Sequence, residues 1–224
     1  MKLVYVVCEG QTEETFVRDV LWEPFSSAGV NLIGQTIETS VGKKGGALSY
    51  QRVKRHLRNQ LRRKGEFFVT TLFDLYRLDT DFPGFAKSKE QNGLDRRLAV
   101  LNAAIHADVV ATAECRPERF IPYIQPYEFE ALLFSDVPVL TGSEPSWLPA
   151  ARALQSVRSG ADSPEHINER PGQNPAAHLE RELQNPKYKK TLHGPTITKR
   201  IGLTKIETEC AFFAAWLRQL RTLR

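Results

Sequence analysis

Leu3 to Cys8 is an unbroken apolar run with β-branched and aromatic members and no alternation, the pattern of a strand buried on both faces. Gly10 supplies a turn after it. Thr12 is the expected N-cap of a helix, with Glu13 and Glu14 in the first turn, where acids suit the dipole. Phe16, Val17, Val20 and Leu21 recur at helical spacing, and Pro24 and Gly29 mark the helix end. Asn31 to Ser40 predicts a second strand, followed by a flexible basic loop, Gly42 to Gly46. Tyr50 to Lys64 predicts an Arg-rich helix. Glu66 to Phe73 predicts a third strand, ending on Asp74, and the irregular turn "YRLDTDFPG" follows it. Leu94, Leu98, Leu101 and Ile105 set the apolar stripe of a long helix. Arg119 to Gln125 predicts a strand whose proline places it at a sheet edge or a bulge, and "YEFEALLFSD" begins the next helix.

Strand and helix alternate through Asp136, which predicts an α/β unit with a mostly parallel sheet flanked by helices. From Val137 the pattern becomes helical with one long turn-rich interruption, "SGADSPEHINERPGQNP". The last stretch is amphipathic through Ile206, Cys210, Phe213, Trp216, Leu217 and Leu220. The expected organisation is an α/β core over residues 1–136 and a helical extension over 137–224 packed on it.

At 224 residues the chain is long enough for one good core. No apolar run is long enough to span a bilayer, and the first ten residues are too short and too soon acidic for a secretory signal. Cys8, Cys115 and Cys210 are widely spaced and odd in number, which argues against a disulfide framework or a zinc site and for a reducing cytoplasm. The net charge of +5 is a weak pointer to a polyanion, but its distribution is a stronger one. Arg52, Lys54, Arg55, Arg58, Arg62, Arg63 and Lys64 follow one another with no acid between them. Intrahelical partners are therefore missing, which sets contact with phosphates beside a merely solvated face as equal alternatives. Lys43 and Lys44 in the preceding loop extend the basic stretch. "GKKGG" lacks the spacing of a P-loop, so ATP hydrolysis is not expected.

The acids carry the candidate chemistry. Glu9 and Asp74 each end an apolar strand, and ligands of open α/β sheets bind outside those carboxyl ends. Glu13, four residues after Glu9, can reach the same crevice from the first helical turn. Glu128 and Glu130 follow another strand, although two residues apart on a helix they cannot both point into one site. Carboxylates without cysteine or histidine suit a hard cation, Mg²⁺ or Mn²⁺, which would offset their repulsion. Glu14 is expected to be a capping acid, and Asp79 and Asp81 turn residues. Lys190, in "KYKKTLHGP", could stabilise charge on a phosphodiester, whereas His166 and His193 are expected to be structural rather than bases.

"VVCEGQTEETF" resembles the first signature of the Toprim fold, a strand ending in Glu-Gly with a further Glu four positions on. "LFDLY" resembles its second. The pattern is shared by topoisomerases, primases and the nucleases of the overcoming-lysogenization-defect group. Over nearly its whole length the chain is more closely similar to the prokaryotic domain-of-unknown-function family numbered 4276, which is associated with phage defence. The matching pieces include "GKKGGALSYQRVKRHL", "YIQPYEFEALLFSD" and "EHINERPGQNPAAHLERELQNPKYKKTLHGPTITKRIGL". The resemblance implies a Toprim-like core, with Glu9 as central glutamate, Glu13 as the added acid of the nuclease branch and Asp74 as the first aspartate of Asp-x-Asp. Tyr76 stands where that motif has its second aspartate, so Glu128, Glu130 or Asp79 must fill the gap if metal is held.

The leading expectation is a cytoplasmic, Mg²⁺- or Mn²⁺-dependent nuclease. Glu9, Asp74 and Lys190 are its catalytic candidates, and Glu9, Glu13, Asp74, Glu128 and Glu130 its metal ligands. Lys43, Lys44, Arg52, Arg55, Arg58 and Arg62 would track the nucleic acid. The rival is a non-catalytic binding or regulatory subunit that works with a separate ATPase.

Overall fold

The central strand is β1, Lys2–Cys8, whose two neighbours are β2, Val30–Thr36, and β3, Phe67–Asp74. In this computed structural model, which describes residues 1–37, 48–167 and 172–223, every pair of strands runs parallel, in the order β2-β1-β3-β4. The protein is an α/β fold with helices on both faces of the sheet. The predicted basic loop with Lys43 and Lys44 lies outside the described residues.

β1 is apolar throughout because it has no wet face. Val4, Val6 and Cys8 face one buried cluster, and Val7 faces another on the opposite side. The first cluster takes in Phe16, Val17, Leu21 and Phe25, and also Trp147, Phe213, Trp216 and Leu217 from far along the chain. The helical segments after residue 137 therefore pack against the same strand as the first helix. Each fully buried large side chain there stabilises the fold by roughly 1.5–3 kcal/mol. The second cluster lies under α3, Tyr50–Leu61, α4, Phe85–Lys89, and α5, Leu94–Ala113; in α5, Leu94, Leu98, Leu101, Ile105, Val109 and Ala113 form the apolar stripe.

The first helix starts at Gln11, a residue before the predicted cap. Gly10 is the N-cap, and its N–H donates to the Glu13 carboxylate at 3.1 Å, which leaves Thr12 buried inside the first turn. The helix continues past Pro24 instead of ending there. A π-helical segment, Val17–Leu21, separates α1, Gln11–Phe16, from α2, Trp22–Ser27. The widened turn shifts the hydrogen-bond pattern just ahead of Pro24, where the imino acid has no N–H to give. β2 ends at Thr36, and residues 38–40 of the predicted strand lie outside the described residues.

The strand predicted over Arg119–Gln125 is two fragments, β4, Phe120–Ile121, and β5, Ile124–Gln125, both paired with β3. Pro122 breaks the ladder, and threonine hydroxyls repair it. Thr70 Oγ1 donates to the Ile121 carbonyl at 2.6 Å, and Thr71 Oγ1 receives the Tyr123 N–H at 2.8 Å. The next segment, Phe129–Ser135, is a 3₁₀ run instead of an α-helix, ahead of α6, Val137–Thr141.

α7, Ala151–Ser159, adds Leu154 to the first cluster, and two later helices bear on the site, α8, Pro175–Glu182, and α9, Lys190–Ile201. Gly194 lets α9 approach closely, because a Cβ there would stand 3.1 Å from the Phe129 ring and 3.3 Å from the Thr12 methyl. Lys190 sits one turn ahead of that contact. Gly194→Val should therefore lower the unfolding free energy by about 1–3 kcal/mol through overpacking. Urea melts check this, and an unchanged midpoint would show that α9 is free to shift outward.

Candidate functional site

The sheet order puts β2 to one side of β1 and β3 to the other, so the topology reverses between β1 and β3. A crevice forms outside the carboxyl ends of strands at such a point. Glu9 follows β1, and Asp74 ends β3. The register sets Cys8 beside Leu72, which brings the Glu9 carboxylate to 3.4 Å from the Asp74 N–H. Asp74 is buried and accepts the Phe129 N–H at 2.8 Å.

Glu13 enters from α1 and Glu130 from the 3₁₀ run, both buried. All of these acids surround one cation. Lys190 Nζ stands 3.1 Å from Asp74, 3.2 Å from Glu13 and 3.3 Å from Glu130. Only the Asp74 contact has hydrogen-bond geometry. Glu13 Oε1 and Glu130 Oε2 are thus buried acceptors without a hydrogen bond. The Lys190 side chain is 35% exposed, so the crevice opens to solvent on its side.

Glu128 is extended and turns away from Lys190. Both of its carboxylate oxygens accept from Asn174 Nδ2, at 3.0 and 2.9 Å, and Oε2 also takes the Ala176 N–H. The geometry brings together Glu9, Glu13, Asp74, Glu130 and Lys190, and it holds Glu128 beside them on other partners. Just ahead of Glu128, Tyr127 adopts a left-handed conformation with φ of 54°, and its carbonyl accepts the Tyr76 N–H. Such strain costs on the order of 1–3 kcal/mol and clusters at functional sites. Here it brings the Phe129 N–H onto Asp74 and Glu130 to the ammonium beside it.

One ammonium cannot neutralise four carboxylates, and the proton affinities of Glu9, Asp74 and Glu130 show it. Burial pushes Glu9 up to about 8; the Asp74 and Glu13 charges add to this, and Lys190 and Arg77 oppose it. Asp74 is raised by burial to about 6 and Glu130 to about 7, with Lys190 the largest opposing influence on each. Burial alone would lower Lys190, but Asp74, Glu130, Glu13 and Glu9 override it and hold the ammonium charged.

The remaining candidates fall elsewhere. Tyr76 is exposed, Asp79 accepts from its own neighbour Thr80, and Asp81 caps α3 by accepting the Tyr50 N–H. Glu14 lies beside Gly34 at the β2 edge. His193 accepts the Lys189 N–H and packs edge-on against Trp147, and His166 bonds Ser163, both local structural roles. On α3, Arg52, Arg55 and Arg58 are exposed and make no ion pair among the described residues, whereas Lys54 pairs with Asp108 and Arg62 with Glu114. Tertiary partners replace the missing intrahelical ones for those two.

Three contributors were not anticipated. Arg77, three residues past Asp74, was signalled by its place next to the motif. Asn174 was signalled by Asn-Pro at a helix start, though nothing local points it at Glu128. Tyr188 is buried near Glu130 and Lys190 with its hydroxyl unpartnered, hidden in a lysine-rich stretch that reads as surface.

A carboxyl with a raised folded pKa binds extra protons in the folded state between its unfolded and folded values, about 4.5 to 8 for Glu9. Its contribution to stability therefore falls as pH rises through that window. With chelator present, the unfolding free energy of Glu9→Gln relative to the parent should rise from pH 5 to pH 8 by at least about 1 kcal/mol, since a tenfold change in proton affinity is worth roughly 1.4 kcal/mol. A pH-independent difference in chemical melts would contradict the assignment.

No curated protein and no solved structure matched this chain. The family described as Domain of unknown function (DUF4276) matches residues 8–221, so the stretch that supplies every acid of the crevice and Lys190 is the family's own, and the chain belongs to that family.

Proposed function

We propose that the protein is a metal-dependent nuclease of Toprim type that hydrolyses phosphodiester bonds. The observation that carries this reading is the convergence of Glu9, Glu13, Asp74 and Glu130 at the switch point, with two buried carboxylate oxygens lacking hydrogen bonds. The donors are all oxygen, which fits Mg²⁺ or Mn²⁺ in kind. Among the described residues no three acids stand as a ready ligand group, because the Lys190 ammonium lies between them. On this reading Lys190 is the counter-ion of the metal-free crevice and moves toward solvent when a divalent cation is held. Glu9, Asp74, Glu13 and Glu130 are the residues that would hold it, and Glu130 takes the place of the carboxylate that Tyr76 lacks. A divalent ion held there would supply an activated water and a charge for the leaving oxygen. In the metal-free crevice burial holds Glu9 at about 8, and a divalent ion held there would draw that proton off. Lys190, displaced but tethered by α9, offers positive charge to the phosphate.

The motif pattern of Glu-Gly after β1 and Asp at the end of β3 supports the Toprim relation, and a role in phage defence follows from the resemblance to the family. Exposed Arg52, Arg55 and Arg58 support a nucleic-acid substrate. The regulatory-subunit reading is favoured by one observation: Lys190 already fills the position that metal would need.

Incubation of the purified chain with plasmid DNA and with RNA, in Mg²⁺ and in Mn²⁺, separates the two. Cleavage by the parent and its loss by a hundredfold or more in Glu9→Gln and Asp74→Asn are expected, with both variants folded. Metal affinity should rise from pH 6 to pH 8, since protonated carboxyls must release protons to bind. If a folded parent, with any ATPase partner supplied, cleaves neither nucleic acid, the nuclease reading fails.

Arg52→Ala with Arg55→Ala should weaken nucleic-acid binding and lower the log–log salt slope by about one for each lost phosphate contact. Filter binding across a salt series measures this. An unchanged slope would make α3 a solvated face.

A further inference from the structure

The open edge of the sheet carries chemistry that the acid crevice does not use. Among the described residues β2 is paired on one side only, and it contains no charged residue, so its outer edge is not blunted in the usual way. Two grooves of about 390 and 490 Å³ lie along it and share Glu14 and Gly34, which makes them one furrow from Asn31 to Ile37. At about 3.3 Å per residue this is roughly 20 Å, the scale of a few nucleotides.

One end of the furrow is aromatic. Trp22 is 47% exposed, and its indole N–H donates to Asn31 Oδ1 at 3.1 Å, which fixes the ring beside Ile33, itself 37% exposed. The other end is basic, lined by Arg52 and Arg55. Gln60, 7% exposed, lines that end with Nε2 unpartnered, and a buried donor without an acceptor is costly unless a ligand supplies one. Glu14 at the waist is the furrow's one acid among the described lining residues. The far end abuts the crevice, because Thr36 is in register with Cys8 and the Ile37 N–H donates to the Cys8 carbonyl, one residue before Glu9.

We propose that this furrow is the access path for a single-stranded nucleic acid, with an unpaired base stacked on Trp22 and backbone phosphates led past Arg52 and Arg55 toward Glu9. The inference rests on the nuclease reading above and names the form of its substrate. A planar aromatic followed by paired cations suits alternating bases and phosphates. A duplex keeps its base faces stacked inside, and a peptide strand added to β2 would need neither the ring nor the arginines.

Trp147 and Trp216 are 1% and 3% exposed, so solvent-accessible tryptophan emission comes from Trp22. The full chain carrying Glu9→Gln is titrated with labelled oligothymidylate, oligouridylate and a DNA duplex. Anisotropy and acrylamide quenching are read together. Single strands are expected to bind more tightly than duplex and to shield Trp22. Trp22→Ala should weaken single-strand binding by about fivefold or more, the equivalent of 1 kcal/mol of stacking, and Trp22→Phe should restore most of it. If Trp22→Ala does not fold, shielding in the Glu9→Gln chain decides. Binding with unaltered Trp22 emission, or with equal affinity for the duplex, overturns the path and leaves the nuclease reading standing. Absence of binding to every oligonucleotide overturns the path as well, and cleavage by the parent then decides the nuclease reading separately.

Discussion

The Lys190 ammonium, set among Asp74, Glu13 and Glu130, is the interaction on which the rest of the crevice depends. Four acids converge on one cation, so the folded chain keeps protons near neutrality that an exposed carboxylate would release. Removing one partner of a buried charge cluster strands the others, at a cost on the order of 3–5 kcal/mol. Several features elsewhere serve this arrangement. Gly194 lets α9 approach α1, Tyr127 bends the chain toward Asp74, and Asn174 takes Glu128 out of the competition for Lys190.

On the proposed reading, such a cluster is suited to a doubly charged ion. Carboxylates that are raised and short of hydrogen bonds gain more from a divalent cation than ordinary surface acids would. The same reasoning gives Tyr76 its meaning. Its ring is exposed and contributes nothing to the crevice, whereas Glu130 reaches the same ammonium as Asp74 from a segment some fifty residues later.

Much of the fold was legible because its signals are local. The unbroken apolar runs of β1 and β3 required burial on both faces, and Glu9 and Asp74 stood out as charges ending them. The stripe from Leu94 to Ile105 marked α5. Pro122 marked a break in an edge strand, and the break is there, mended by Thr70 and Thr71. The errors came where tertiary context outweighed local preference. Pro24 read as a helix end because a π-helical turn leaves no sequence signature. Glu128 and Glu130 read as helical neighbours, but the chain is extended at one and 3₁₀ at the other. Asn174 and Tyr188 act across long sequence separations, and no spacing rule connects them to Glu128 or Lys190. Glu165 is a similar case, a buried carboxylate that accepts the N–H groups of Phe212 and Phe213 at the start of a helix some forty-seven residues on.

The central claim is that a divalent cation and the Lys190 ammonium compete for one set of carboxylates. Anomalous diffraction from crystals equilibrated with Mn²⁺ near pH 8 tests it most directly. The expected result is a manganese peak coordinated by Asp74 and at least one of Glu9, Glu13 and Glu130, with Lys190 Nζ withdrawn from all three of its present partners. Crystals that show no peak in the crevice at saturating Mn²⁺, with Lys190 still bridging Asp74, Glu13 and Glu130, would contradict it.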